Sequence, residues 1–94
     1  MGTSVSSGVL SADTLIATGR NRVNAITVFS DGINEATLEL YDNTSAAGTV
    51  NVKGICLAVN KVSHLIFENP VKFENGIYAN VTGTGASFIV YFGG

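Results

Sequence analysis

The chain is short of charge. Only 13% of its 94 residues are Asp, Glu, Lys or Arg, about half the ~25% of an ordinary globular domain. Five are basic: Arg20, Arg22, Lys53, Lys61 and Lys72. Apart from Arg20 and Arg22 they are scattered along the sequence. A phosphate-binding surface needs clustered cations, so nucleic acid is not an expected partner. The chain has a single histidine, His64, and a single cysteine, Cys56. One of each cannot make a four-ligand zinc site, and a lone cysteine makes no intrachain disulfide. Cys56 lies in the apolar run GICLAV and reads as a small buried hydrophobe. No apolar run approaches the ~20 residues of a membrane-spanning helix, so no membrane partner is expected.

Catalytic constellations are missing as well. The acids are Asp13, Asp31, Glu35, Glu39, Asp42, Glu68 and Glu74. Glycosidase chemistry needs two carboxylates facing each other across a bond, about 5–9 Å apart. Glu35 and Glu39 share a face only on the solvent side of a strand, where they act as solubilising charges. Gly83-Thr84-Gly85 lacks the third glycine and the following helix of a dinucleotide loop. The expectation is a chain that is not an enzyme and carries no cofactor and no metal.

What is plentiful is apolar residues, at 46%. A chain of this size makes one domain and buries about 64% of its unfolded surface. It cannot hide all that apolar content inside itself. Part of its surface is therefore expected to be an interface, most simply between identical subunits.

The pattern along the chain is that of strands. Residues 1–8 are small, polar and aperiodic and read as a flexible N-terminal arm, with a folded domain over 9–94. Val9 to Ala17 offers a first short strand. Arg22 to Ser30 places Ile26 and Val28 on one face and Ala25, Thr27 and Phe29 on the other. Asp31-Gly32 marks a turn. Glu35 to Tyr41 alternates, with Leu38 and Leu40 inward and Thr37, Glu39 and Tyr41 outward. Asp42 to Gly48 is a second turn. Thr49 to Val59 reads as a long strand with a bulge at Gly54. Ser63 to Glu68 is another, broken at Asn69-Pro70 because proline donates no ladder hydrogen bond. Phe73 to Phe92 predicts a closing β-hairpin: FENGIYANV, a turn over TGTGAS, then FIVYF. Together these predict an all-β, single-domain β-sandwich, jelly-roll-like, of seven or eight short antiparallel strands. Phe29, Tyr41 and Tyr78 fall on polar faces. With Val9 and Leu10, the first apolar anchors after the arm, they are the candidate interface residues.

Two blocks of sequence resemble a known class. LELYDNTSAAGTV (Leu38 to Val50) and the run from Phe73 to Tyr91, with FENGIY and TGTGAS, are similar to small tailed-bacteriophage virion structural proteins of the capsid decoration or cement type. The shared motifs are turns and closing strands, and no catalytic residue is carried over from them. The resemblance implies a jelly-roll sandwich on the capsid surface of a virion, present in the host cytoplasm during assembly. It implies a homo-oligomer, with a trimer suited to threefold positions, bound to the major capsid protein. Two other roles stay open. One is a tail, connector or fibre-base component. The other is a carbohydrate-binding module, with Phe29, Tyr41 and Tyr78 as its platform.

Overall fold

The computed structural model describes residues 4–93, and within them the chain is almost wholly β. Eight strands follow one another: β1 Val5–Ser6, β2 Thr14–Thr18, β3 Asn21–Phe29, β4 Ala36–Tyr41, β5 Val50–Cys56, β6 Val62–Phe73, β7 Gly76–Thr82 and β8 Ser87–Gly93. The one helical element is a single 3-10 turn at Ala58–Asn60. The strands form two four-stranded antiparallel sheets. Sheet A has the order β1-β8-β3-β6 and sheet B the order β2-β7-β4-β5.

The alternation that marks the strands also fills the core. In β4, Ala36, Leu38 and Leu40 are fully buried while Thr37, Glu39 and Tyr41 face out. In β8, Phe88 and Val90 are buried between half-exposed Ser87, Ile89 and Tyr91. Val23, Ile26 and Val28 from β3, Phe73 from β6 and Ile77 and Ala79 from β7 join the same cluster. Cys56 lies in it as well, fully buried and unpaired.

The closing hairpin is not formed. β7 lies in sheet B between β2 and β4, whereas β8 lies in sheet A between β1 and β3. The Gly83–Ala86 turn reverses the chain, but it carries it across from one sheet to the other. A glycine-rich turn serves both kinds of reversal. The choice is made by where each apolar face finds cover, and Ile77 and Phe88 find it from opposite sides of one core. Gly83 fits this role: its φ is +122°, and a Cβ there would run into the Glu35 carbonyl of the β3–β4 crossover. Two crossovers thus lie against each other. Of the connections between successive strands, only β4 to β5 stays within a sheet.

Three further expectations change. Val5 and Ser6, expected in a flexible arm over 1–8, pair with Phe92 and Tyr91 as an edge strand. Ser7 extends this contact, donating its N–H to the Val90 carbonyl at 2.9 Å and accepting the Val90 N–H on its hydroxyl at 2.9 Å. Met1, Gly2 and Thr3 lie outside the described residues. Second, Gly54 is not bulged; β4 and β5 slip register at Leu40/Tyr41 instead. Gly54 is small because the opposite sheet approaches it: a Cβ there would sit 2.7 Å from Ile26 Cδ1. Third, β6 runs through Pro70 as extended chain, yet its pairing with β3 lapses there. Ile66 opposes Ala25 and Val71 opposes Val23, so Phe67 to Pro70 bow out opposite Asn24.

Candidate functional site

Registers fix what each sheet shows to the outside, because residues directly opposite on antiparallel strands share a face. On sheet A one row is Ser6, Tyr91, Ala25 and Ile66; the next is Ile89, Thr27 and His64; the third is Ser87, Phe29 and Val62. None of these ten residues is acidic, Lys or Arg. Ile66 is 70% exposed and Val62 49% exposed. Sheet B differs. Its outer rows are Leu15, Tyr78 and Tyr41; then Asn80, Glu39 and Lys53; then Thr82, Thr37 and Ile55. Glu39 and Lys53 form an ion pair at 3.9 Å across the middle.

The candidate interface residues separate accordingly. Tyr41 and Tyr78 are direct cross-strand partners on sheet B. Phe29 stands on sheet A, on the far side of the molecule. The three aromatics therefore do not form one platform. Val9 is exposed. Leu10 is turned inward: it packs on the core and exchanges backbone hydrogen bonds with Phe88 at 2.9 and 2.8 Å.

The middle of the outer face of sheet A holds a small polar cluster. The Thr27 hydroxyl and His64 Nδ1 share a hydrogen bond of 2.6 Å. Thr27 is buried although it lies on this outer face, and the bond satisfies its hydroxyl. The His64 ring stands edge-on to Tyr91, with centroids 6.3 Å apart. Beside them is an open depression of about 480 Å³, lined by Asn24, Ala25, His64, Ile66, Phe67 and Tyr91 among others.

At the end of the same face the scattered cations come together. Arg22 and Lys72, fifty positions apart in sequence, are direct cross-strand partners on β3 and β6. Arg20 lies in the adjoining turn and meets Glu74 at 3.3 Å. A cleft of about 340 Å³ lies among Arg20, Asn21, Arg22, Lys72, Phe73 and Glu74. Sequence reading missed this cluster, since nothing local to Arg22 announces Lys72 as its neighbour.

The aspartates turn out to be fasteners. Asp42 Oδ1 accepts the N–H groups of Glu74 at 3.0 Å and Asn75 at 2.8 Å. It thereby ties the DNTS turn to the FENG turn, so the two motifs of the sequence resemblance touch. Asp13 Oδ1 accepts the Val81 N–H at 2.9 Å and fixes the start of β2. Asp31 accepts from the backbone of Asn34 at 2.7 Å and Ile33 at 2.8 Å, and from the Asn34 side-chain amide at 3.1 Å. These bonds, Asn34 first, hold its carboxyl below the ordinary 3.8, because they favour the charged form. Among the described residues no group of three or more His, Cys, Asp and Glu gathers as a metal site would require.

No protein-family model matches the chain, and no curated protein or solved structure matches it either.

Proposed function

We propose that this chain is a structural virion protein of a tailed phage, a capsid decoration protein that assembles as a homotrimer on the major capsid protein. The observation that carries the reading is the strand order. β1 pairs β8, β2 pairs β7, β3 pairs β6 and β4 pairs β5. The pairs alternate between the sheets, 1-8 and 3-6 in one, 2-7 and 4-5 in the other. That order follows when a single long hairpin, closed at β4–β5, is rolled up into a jelly-roll sandwich, an architecture recurrent in viral capsid and lectin domains.

The surface supports the same reading. A protein that only attaches needs a stiff scaffold and an apolar face, and the outer face of sheet A supplies one. Many copies on a shell turn a modest contact into firm attachment through multivalency. A decoration protein that binds only the assembled shell stabilises it by mass action. The lectin-like alternative loses its three-aromatic platform, because Phe29 and the Tyr41–Tyr78 pair lie on different sheets.

The test is direct. Purified protein is mixed with phage heads lacking decoration and the particles are reconstructed by electron cryo-microscopy. Hundreds of copies at regular shell positions are expected. Density at a single vertex or on the tail would move the chain to the connector or fibre base, and none at all would remove the virion role.

A further inference from the structure

We infer that the cation-tipped outer face of sheet A, beside β6, is a docking site for an extended acidic segment of a protein partner. The inference stands apart from the virion reading, since the surface would bind such a segment wherever the chain works.

The first observation is electrostatic. Three of the five basic residues, Arg20, Arg22 and Lys72, line one cleft of a chain whose net charge is −2. Like charges directly opposite on neighbouring strands repel each other. Among the described residues Arg22 and Lys72 have no ion-pair partner, and Glu74 reaches only Arg20. A carboxylate placed between Arg22 and Lys72 converts that repulsion into two charge-assisted hydrogen bonds.

The second observation is what adjoins the cations. Three positions along β3 from Arg22 is Ala25, the floor of the depression lined by His64, Ile66 and Tyr91. At about 3.3 Å per strand residue the two sites are ~10 Å apart. An extended segment spans that with two to four residues. An apolar side chain fits beside Ile66 and Tyr91, and the acids reach the cleft.

The third observation is the sheet edge. Of the four edge strands, β1 has two residues. β2 is bulged between Leu15 and Ala17. β5 carries Lys53 at its centre, a charge of the kind that guards edges. β6 has twelve residues and bows out only at Phe67 to Pro70; its regular stretch from Val62 to Ile66 has no acid, Lys or Arg. Its free backbone groups can pair with an added strand. A second copy does not complete this site. In antiparallel self-pairing about Val62–Phe67, Glu68 of the second copy falls opposite Lys61, at the far end from the cleft, and leaves Arg22 and Lys72 unneutralised.

The test uses a fluorescein-labelled peptide of alternating Val and Thr ending in four Glu, and a counterpart ending in four Gln. Anisotropy is expected to show the Glu peptide binding at least tenfold more tightly. Raising salt from 50 to 500 mM should weaken it. Arg22→Glu with Lys72→Glu should weaken it at least tenfold with an unchanged melting curve, both side chains being at the surface, while Lys53→Glu with Lys61→Glu leaves it within twofold. NMR shifts should map to Arg22, Lys72, Ile66 and Tyr91. Absence of binding at millimolar peptide, equal binding of the Gln peptide, or equal sensitivity to Lys53 and Lys61 overturns the inference. So does tighter binding of a DNA oligonucleotide, or concentration-dependent covering of the same residues by the protein itself.

Discussion

The outer faces of the two sheets are made by the same chain in the same geometry, yet they are dressed differently. Sheet B shows an ion pair across its middle row, two tyrosines, two threonines and an asparagine, with Leu15 and Ile55 at its margins. Sheet A shows uncharged rows with Ile66, Val62, Ile89, Phe29 and Tyr91, and places its cations at one end. A face with a charge pair across its middle is comfortable in water. A face whose rows are free of acids, Lys and Arg and whose tip is cationic is suited to being covered. The low charge of the whole sequence is thus not spread evenly; it is concentrated in one place.

The largest expected effect tests whether the two faces belong to one rigid body. Gly54→Val would drive a side chain into Ile26 of the facing sheet. Overpacking of this kind costs about 3 kcal/mol. Chemical denaturation should show it, and a variant as stable as the parent would mean the sheets do not meet there.

Next comes a matched pair of charge insertions. Ile66→Glu on sheet A and Ile55→Glu on sheet B replace isoleucines 70% and 48% exposed. Both should leave the melting temperature nearly unchanged. If sheet A is the covered face, Ile66→Glu weakens attachment to the shell by about 100-fold, or ~2.7 kcal/mol of desolvated charge. Ile55→Glu should cost less than threefold. Equal losses, read by particle occupancy, would erase the distinction between the faces.

A finer contrast lies in the threonines. Thr27→Val removes the hydrogen bond to His64 and should cost about 1 kcal/mol. Thr37→Val on sheet B makes no such loss and should stay within about 0.5 kcal/mol. Smaller still is Lys53→Ala. Its ion pair with Glu39 is half exposed and loose at 3.9 Å, so the change should fall below about 0.5 kcal/mol and vanish in salt.

The last expectation concerns acid. Asp31 should titrate below the ordinary 3.8 in a carbon-detected NMR series, since its carboxylate holds the Asn34 and Ile33 amides. A depressed folded value means its contribution to stability is present above the unfolded pKa. That contribution is lost as pH falls through the folded value. Asp31→Asn should flatten this acid limb.

How much of this could be read from the chain follows from the range of each force. The strands were legible because alternation is local: ATLEL states its own inward face. The turns were legible because Asp31, Asp42 and Gly83 announce reversals. Pairing was not. TGTGAS is compatible with a hairpin and with a crossover, and only the distant positions of β1, β3 and β4 decide. The Arg22–Lys72 neighbourhood was hidden for the same reason. So was the work of Asp13 and Asp42, whose acceptors serve amides far along the chain. Val5 and Ser6 looked idle because two small residues carry no pattern of their own; β8 supplies the partner.

The position of β8 bears on how the chain comes off the ribosome. This strand is not a rim but the seam of sheet A, seated between β1 and β3. Residues 5 and 6 emerge early and then wait for residues 91 and 92. During synthesis the β4–β5 hairpin can close at once, but sheet A stays split until Gly93 clears the exit tunnel. Completion of this half therefore waits on β8 and is governed by distant pairing, which is correspondingly slow. In that interval β3 can pair with β6 on one side but keeps a bare edge on the other, an exposed strand edge open to chaperones that the finished molecule covers.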